Sequence, residues 1–92
     1  MPGIAVEGFV IDDDNTEKFW EHGLYPEDVV EVLLFPRLVR RNRRDRRASH
    51  ILIGRTEHGD CLAIPIEPTT EPGVWRPVTA WRCKASEWAL LP

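Results

Sequence analysis

The chain has 92 residues, of which 42% are hydrophobic and 29% are charged, a composition typical of a small globular domain rather than of a disordered segment. No apolar run approaches the ~20 residues of a membrane span, and the start has no signal-peptide character. We therefore expect one cytoplasmic domain over residues 1–92, without a membrane association.

The net charge of −3 hides a strong asymmetry. Residues 1–36 hold nine acidic residues and one lysine, a local charge of −8, whereas residues 37–92 hold eleven basic and six acidic residues, a local charge of +5. The distribution predicts that an anionic ligand binds to the second half and a basic protein partner to the first.

The first apolar stretch, Ile4–Ile11, predicts a strand. Asp12-Asp13-Asp14-Asn15 follows, and each of these side chains can cap a helix and complement its dipole. A short helix over Thr16–Glu21 would end at Gly23, with His22 in its last turn.

A second helix is predicted to begin at Pro26, which suits the first helical turn, and to end before Pro36. Its apolar residues recur at helical spacing and predict one buried stripe, made of Val29, Val30, Leu33 and Leu34.

The next segment, 37–47, contains seven of the twelve basic residues. Leu38 and Val39 are consistent with the start of a strand, and Arg40–Arg47 is predicted to be a mobile, solvated loop. Such a loop attracts phosphate in a salt-dependent manner, and contact with RNA and contact with an acidic protein segment are equally consistent with it.

Three strand-like segments between His50 and Arg82 form the frame of the predicted fold. The first covers His50–Thr56 and the second Cys61–Ile66, joined by a turn over Glu57-His58-Gly59-Asp60. A Pro/Thr/Gly loop over residues 67–73 leads to the third, Val74–Arg82. Pro65 and Pro77 interrupt these patterns and are expected at edges or bulges.

The segment Lys84–Leu91 is predicted to form a short C-terminal helix. The element order favours an α+β fold, in which two short N-terminal helices pack on one face of a small antiparallel sheet. The two cysteines, Cys61 and Cys83, are expected to remain reduced in a cytoplasmic protein.

A set of short motifs extends from about Ile11 to about Glu87: Asp14-Asn15, His22-Gly23, the helix from Pro26, Ile53-Gly54-Arg55-Thr56 with Gly59 and Leu62, Trp75-Arg76-Pro77-Val78-Thr79-Ala80 and Glu87. The order and spacing of these motifs resemble the BrnT family, whose members are type II toxins with a RelE/ParE-like fold. The resemblance implies a bacterial metal-independent endoribonuclease that is neutralised by a small ribbon-helix-helix antitoxin and contacts operator DNA only through it. The matching catalytic positions are His22, Arg55 and Arg76.

Metal-independent RNA cleavage needs a group that moves protons and cations that stabilise the phosphorane charge. In this hypothesis His22 assists proton transfer or site geometry, while Arg55 and Arg76 converge on one phosphate. Further substrate contacts are predicted for a set of basic residues, Arg40, Arg41, Arg43, Arg44, His58 and Arg82. No cofactor is required, and the scattered cysteines and histidines lack metal-ligand spacing.

Each of these residues also has a simpler structural explanation. Arg55 and Arg76 can pair with carboxylates of the acidic first half, and His22 can serve as a helix-end residue. The pI near 5.6, together with Glu21 and Trp81 where the family carries basic residues, favours an alternative: a noncatalytic interaction or regulatory protein of the same fold. Poisoning of DNA gyrase is a third hypothesis and rests on fold analogy.

Overall fold

The computed structural model describes residues 4–91 and confirms the predicted α+β class. In chain order the elements are β1 (Gly8–Phe9), α1 (Asp13–Glu21), α2 (Pro26–Glu31), a 3-10 helix (Val32–Leu34), β2 (Arg37–Arg41), β3 (His50–Arg55), β4 (Cys61–Pro68), β5 (Val74–Pro77), β6 (Trp81–Arg82) and α3 (Ala85–Trp88).

One mixed sheet joins the strands in the order β1-β5-β4-β3-β2, and β6 pairs with β4 beside the end of β5. All pairs are antiparallel except β1 with β5, which is parallel. The expectation of a wholly antiparallel sheet is therefore wrong at this edge. The predicted first strand, Ile4–Ile11, is regular only at Gly8–Phe9.

The predicted strand Val74–Arg82 is broken into two. β5 ends at Pro77, opposite Ile66, and β6 begins only at Trp81, opposite Ala63. Between them Val78 donates its backbone N–H to the carbonyl of Pro65 at 2.8 Å. Because Pro65 and Pro77 lack the N–H that a regular ladder needs, the chain departs from β4 here and rejoins it later.

Helix α1 begins with a reciprocal capping box, three residues earlier than predicted. The Asp12 carboxylate accepts from the N–H of Asn15 at 2.9 Å, and the Asn15 amide oxygen accepts from the N–H of Asp12 at 2.9 Å. The predicted end of the helix is confirmed: Gly23 has a φ of 72° and its N–H donates to the carbonyl of Trp20. This conformation costs glycine little.

The second predicted helix is confirmed at its start, where the Asp28 carboxylate accepts from the N–H of Tyr25 at 2.9 Å. Its predicted buried stripe is only partly correct. Val29 and Val32 are buried, whereas Val30 and Leu34 are 41% and 78% exposed. The helix tightens into a 3-10 turn after Glu31, so the buried face rotates away from the α-helical positions.

Apolar residues cover both faces of the sheet. The helix-side core joins Phe19, Val29 and Val32 to alternating strand residues, Leu52, Leu62, Ile64 and Ile66. The opposite face holds Ile51, Ile53, Cys61 and Ala63, packed against Trp81, Cys83 and Leu91. Burial of each large aliphatic side chain stabilises the fold by about 1.5–3 kcal/mol.

The two cysteines form a disulfide, so the expectation that they stay apart as thiols is wrong. Cys83 follows β6 directly and donates its N–H to the carbonyl of Cys61 at 2.9 Å. This pairing brings the two Cα atoms to 5.2 Å, within the usual range for a bridge. The disulfide attaches the C-terminal segment to β4.

None of the helices in residues 4–91 is long and apolar enough to cross a membrane. We expect no signal peptide at the start of the sequence, and residues 1–3 of that start lie outside the described part of the chain.

Candidate nucleic-acid interface

The predicted basic loop is shorter than expected, because β2 continues through Arg41 and pairs with β3 to His50. Asn42 closes the remaining loop: its N–H donates to the carbonyl of Ser49 at 2.9 Å, and its side-chain amide donates to the carbonyl of Ala48 at 3.0 Å. Arg40 and Arg41 therefore extend from a strand, not from a mobile segment.

A basic pocket of about 730 Å³ lies between this loop and the sheet face that bears Ile51 and Pro65. Six of its described lining residues are basic and one is acidic. The basic residues are Arg40, Arg41, Arg43, Arg46, Arg47 and Lys84. Arg44 lines a second, smaller hollow of about 500 Å³ on the same loop, together with Arg41, Arg43 and Arg46. Such a concentration of one charge in a concave surface attracts anions.

The far wall of the basic pocket is formed by Thr79, Trp81 and the C-terminal turn. Glu87 is only 7% exposed, and its carboxylate accepts from the Trp81 indole N–H at 3.3 Å and from the N–H of Lys84 at 2.7 Å. These donors hold the carboxylate in place, and Glu87 in turn positions the indole at the wall of the pocket. The sequence offered one signal for this role, a glutamate three residues after Lys84, the residue that precedes α3.

The structure brings together two of the predicted site residues, His22 and Arg82, beside this wall. The His22 ring lies 6.4 Å from that of Trp81, centroid to centroid. Arg82 donates from its guanidinium to the backbone carbonyl of His22 at 3.3 Å. An exposed imidazole, an indole and a guanidinium thus form one cluster next to the basic pocket.

Arg55 and Arg76, in contrast, do not converge. Arg55 lies opposite Cys61 on β4 and Arg76 lies opposite Glu67, six positions further along the same strand. At about 3.3 Å per residue the two positions are about 20 Å apart. One phosphate cannot bridge that distance, so the predicted two-arginine clamp is not formed.

Arg76 is engaged by two carboxylates. Its guanidinium contacts Asp12 at 2.7 Å and Glu67 at 3.0 Å, and its side chain is 16% exposed. The hydrogen bond to Arg76 lowers the pKa of Asp12, and the bond to Asp12 raises the pKa of Arg76. These contacts support the structural explanation of Arg76, in which it pairs with a carboxylate of the acidic first half, here Asp12. Arg47 joins the same network through Glu67 at 3.1 Å.

The other two predicted residues, Arg55 and His58, lie elsewhere, and the third histidine, His50, is partly buried. The Arg55 guanidinium carbon lies 5.8 Å from the centroid of the Trp88 ring, a cation–π distance. His58 lies in the exposed turn between β3 and β4. His50 is the first residue of β3, and its ring packs edge-on against the Trp75 ring, with the centroids 5.3 Å apart. Burial of the imidazole lowers the pKa of His50, and the nearby charge of Arg41 lowers it further.

Within residues 4–91 no group of three or more His, Cys, Asp or Glu side chains is placed to hold a metal ion. Comparison of the chain with protein-family models, with curated protein sequences and with solved structures finds no match in any of the three.

Proposed function

We propose that this protein binds RNA in the basic pocket and cleaves it without a metal ion, as a toxin of a type II toxin–antitoxin pair. The observation that carries the proposal is the set of five arginines that line one concave surface, beside the cluster of His22, Trp81 and Arg82. The resemblance of the sequence motifs to the BrnT family supplies the reaction class.

Binding would depend mainly on phosphate charge. Single-stranded nucleic acid loses affinity with salt at a slope of about −0.7 per neutralised phosphate, so four or five contacts give a slope near −3 in a plot of log K against log salt. Trp81 offers a flat indole at the wall of the pocket, on which an unpaired base can stack.

Cleavage requires a base that removes the proton from the ribose 2′-OH. The 2′-oxygen then attacks the adjacent phosphorus, the bond to the 5′-oxygen breaks, and an acid protonates that leaving oxygen. His22 is exposed at the end of α1 and carries an imidazole, a side chain that enzymes commonly use for proton transfer. Arg82 lies within contact of the His22 backbone and can offset the phosphorane charge.

The proposal places the protein in the cytoplasm, where its RNA substrate and a ribbon-helix-helix antitoxin would be present. Cellular reductants keep most thiols reduced there. The structure with a disulfide between Cys61 and Cys83 would then represent the oxidised form of the protein.

A second candidate function is RNA binding without cleavage. The observation that favours it is the engagement of Arg76 by Asp12 and Glu67, which leaves the predicted catalytic pair apart. The two functions share the basic pocket and differ only in the role of His22 and Arg82.

The test measures binding and cleavage of end-labelled single-stranded RNA in EDTA. Arg43→Glu reverses one charge in the basic pocket, and we expect RNA binding to weaken about tenfold or more. Lys18→Glu is the matched control, because it makes a comparable charge reversal at an exposed α1 residue that does not line the basic pocket, and it should weaken binding far less than Arg43→Glu.

For cleavage, His22→Gln and Arg82→Ala should each slow the reaction by about 10²-fold or more, while RNA affinity changes little for His22→Gln. His58→Gln tests the turn histidine in parallel. Wild-type protein that binds RNA but never cuts it would support the second candidate. Equal binding by wild type and Arg43→Glu would remove both candidates.

A further inference from the structure

An apolar groove of about 740 Å³ lies on the helix side of the sheet, on the face opposite to the basic pocket. One wall is α2 with the 3-10 turn that follows it, and the other is the segment around β1. The described lining residues are Glu7, Ile11, Pro26, Glu27, Val30, Glu31, Leu33 and Leu34.

The floor of the groove exposes side chains that a folded protein usually buries. Leu34 is 78% exposed and Val30 is 41% exposed, and Leu33 lies between them at helical spacing. Contiguous apolar surface with a polar rim is typical of a binding site on a soluble protein.

The rim of the groove is acidic. Glu7, Glu27 and Glu31 surround the apolar floor, and the described lining contains no basic residue. Glu31 is held in place because its carboxylate accepts the backbone N–H of Glu57. The other two carboxylates are exposed, so they are available to pair with cations of a partner.

We propose that this groove binds an amphipathic helix of another protein, with leucine-like side chains along one seam and lysine or arginine on both flanks. Apolar anchors at positions i, i+3, i+4 and i+7 would fill the floor between Val30 and Leu34. The flanking cations would meet the glutamates on the rim. An acidic helix would be repelled by the same rim.

This inference rests on the groove alone and does not depend on RNA cleavage. RNA is polyanionic and would be repelled by Glu7, Glu27 and Glu31, whereas the basic pocket would attract it. The two surfaces lie on opposite faces of the sheet, so loss of one binding activity should leave the other intact.

The test uses two designed helical peptides of about 15 residues, a length at which a helix becomes marginally stable. Both carry leucine at i, i+3, i+4 and i+7; one has lysine and arginine on the flanks, and the other has glutamate. Binding to the full chain is measured by isothermal titration calorimetry, with chemical-shift mapping of the groove. We expect the basic peptide to bind and the acidic peptide not to bind.

Leu34→Asp should weaken the basic peptide about tenfold or more, because it places a charge in the apolar floor. Trp20→Asp is the matched control: Trp20 is also exposed, at 59%, but does not line the groove. Glu27→Lys gives an independent test of the rim and should weaken the basic peptide. Circular dichroism reports the folding of each variant.

Three results would overturn the proposal. The first is equal affinity for the two peptides. The second is unchanged binding by Leu34→Asp and Glu27→Lys when both variants are folded. The third is a dimer of the free chain in sedimentation that Leu34→Asp dissociates, since this would assign the groove to a second copy.

Discussion

Asn15 gives the sharpest test of what holds this fold together. Its side chain is fully buried, and its amide connects three segments of the chain. The amide nitrogen donates to the carbonyls of Val10 and Pro77, each at 2.9 Å, and the amide oxygen accepts from the N–H of Asp12. Asn15→Leu preserves the approximate volume and removes all three hydrogen bonds.

The loss of stability follows from the number of hydrogen bonds removed and from the buried groups that are left without a partner. Each hydrogen bond contributes about 1 kcal/mol net, and the buried carbonyl of Pro77 would lose a partner, so the free energy of unfolding should fall by about 3 kcal/mol. The entropy of unfolding for a chain of this length is about 0.2 kcal/mol per kelvin, which converts that loss to a melting temperature about 15 °C lower.

Urea unfolding followed by far-UV circular dichroism measures the free energy, and calorimetry measures the melting temperature. Asn42→Leu is the matched control, since Asn42 makes only local bonds within the basic loop, to Ala48 and Arg43. On the same count its two side-chain bonds would cost at most about 2 kcal/mol, and less because the bond to Arg43 is exposed and water can replace it. A loss below about 1 kcal/mol for Asn15→Leu would refute the argument that this amide fastens α1 to the sheet.

Further outcomes are expected for Asp12, for the disulfide and for His50. Asp12→Asn should retain the helix cap and lose the ion pair with Arg76, whereas Asp12→Ala loses both and should unfold about 1 kcal/mol more easily than Asp12→Asn; equal urea midpoints would contradict this. The folded-state pKa of Asp12 is lowered. Its carboxylate therefore stabilises the fold fully above the unfolded pKa near 3.9, and this stabilisation is lost as pH falls through the lower folded pKa. Asp12→Asn should accordingly lose less stability on acidification than the wild type. Reduction of the disulfide, which spans 22 residues between Cys61 and Cys83, should cost about 3 kcal/mol on the loop-entropy model, measured by unfolding with and without dithiothreitol; coincident curves would disprove it. The pKa of His50 is also lowered, so stability should decline as pH falls below about 6.5, where the unfolded histidine binds a proton first, and His50→Gln should abolish that decline in thermal melts.

The sequence predicted well where short-range chemistry determines the conformation. The acidic cap, the glycine after α1 and the proline that begins α2 act over three or four residues, and their effect can be read without a neighbour in space. The same is true of the hairpin turn between β3 and β4. These signals were enough to predict the α+β class correctly.

What the sequence could not provide was the placement of residues far apart in the chain. Alternation along a strand puts Arg55 and Arg76 on sheet faces, but only the register with β4 shows that six residues separate them. The disulfide between Cys61 and Cys83 depends likewise on β6 returning to β4 after a break at residues 78–80. The exposed face at Leu34 follows from the tightening of the chain after Glu31.

Only one wall of the basic pocket could be predicted from the sequence, because the other wall comes from a distant part of the chain. A run of arginines identified the loop, and proximity in sequence was sufficient for Arg40, Arg41 and Arg43. The opposite wall, with Thr79, Trp81 and Glu87, is contributed by residues more than thirty positions away, and no local pattern relates the two.

Charge is segregated across the sheet, which gives its two faces opposite electrostatic character. The helix-side groove has a rim of glutamates, and the opposite face holds most of the arginines of the loop. In the field of a polyanion such a molecule rotates before contact, so that its arginine side leads and its glutamate side trails toward solvent. A polyanion would therefore meet the arginine side first while the groove faces away from it, and high ionic strength would weaken that orientation.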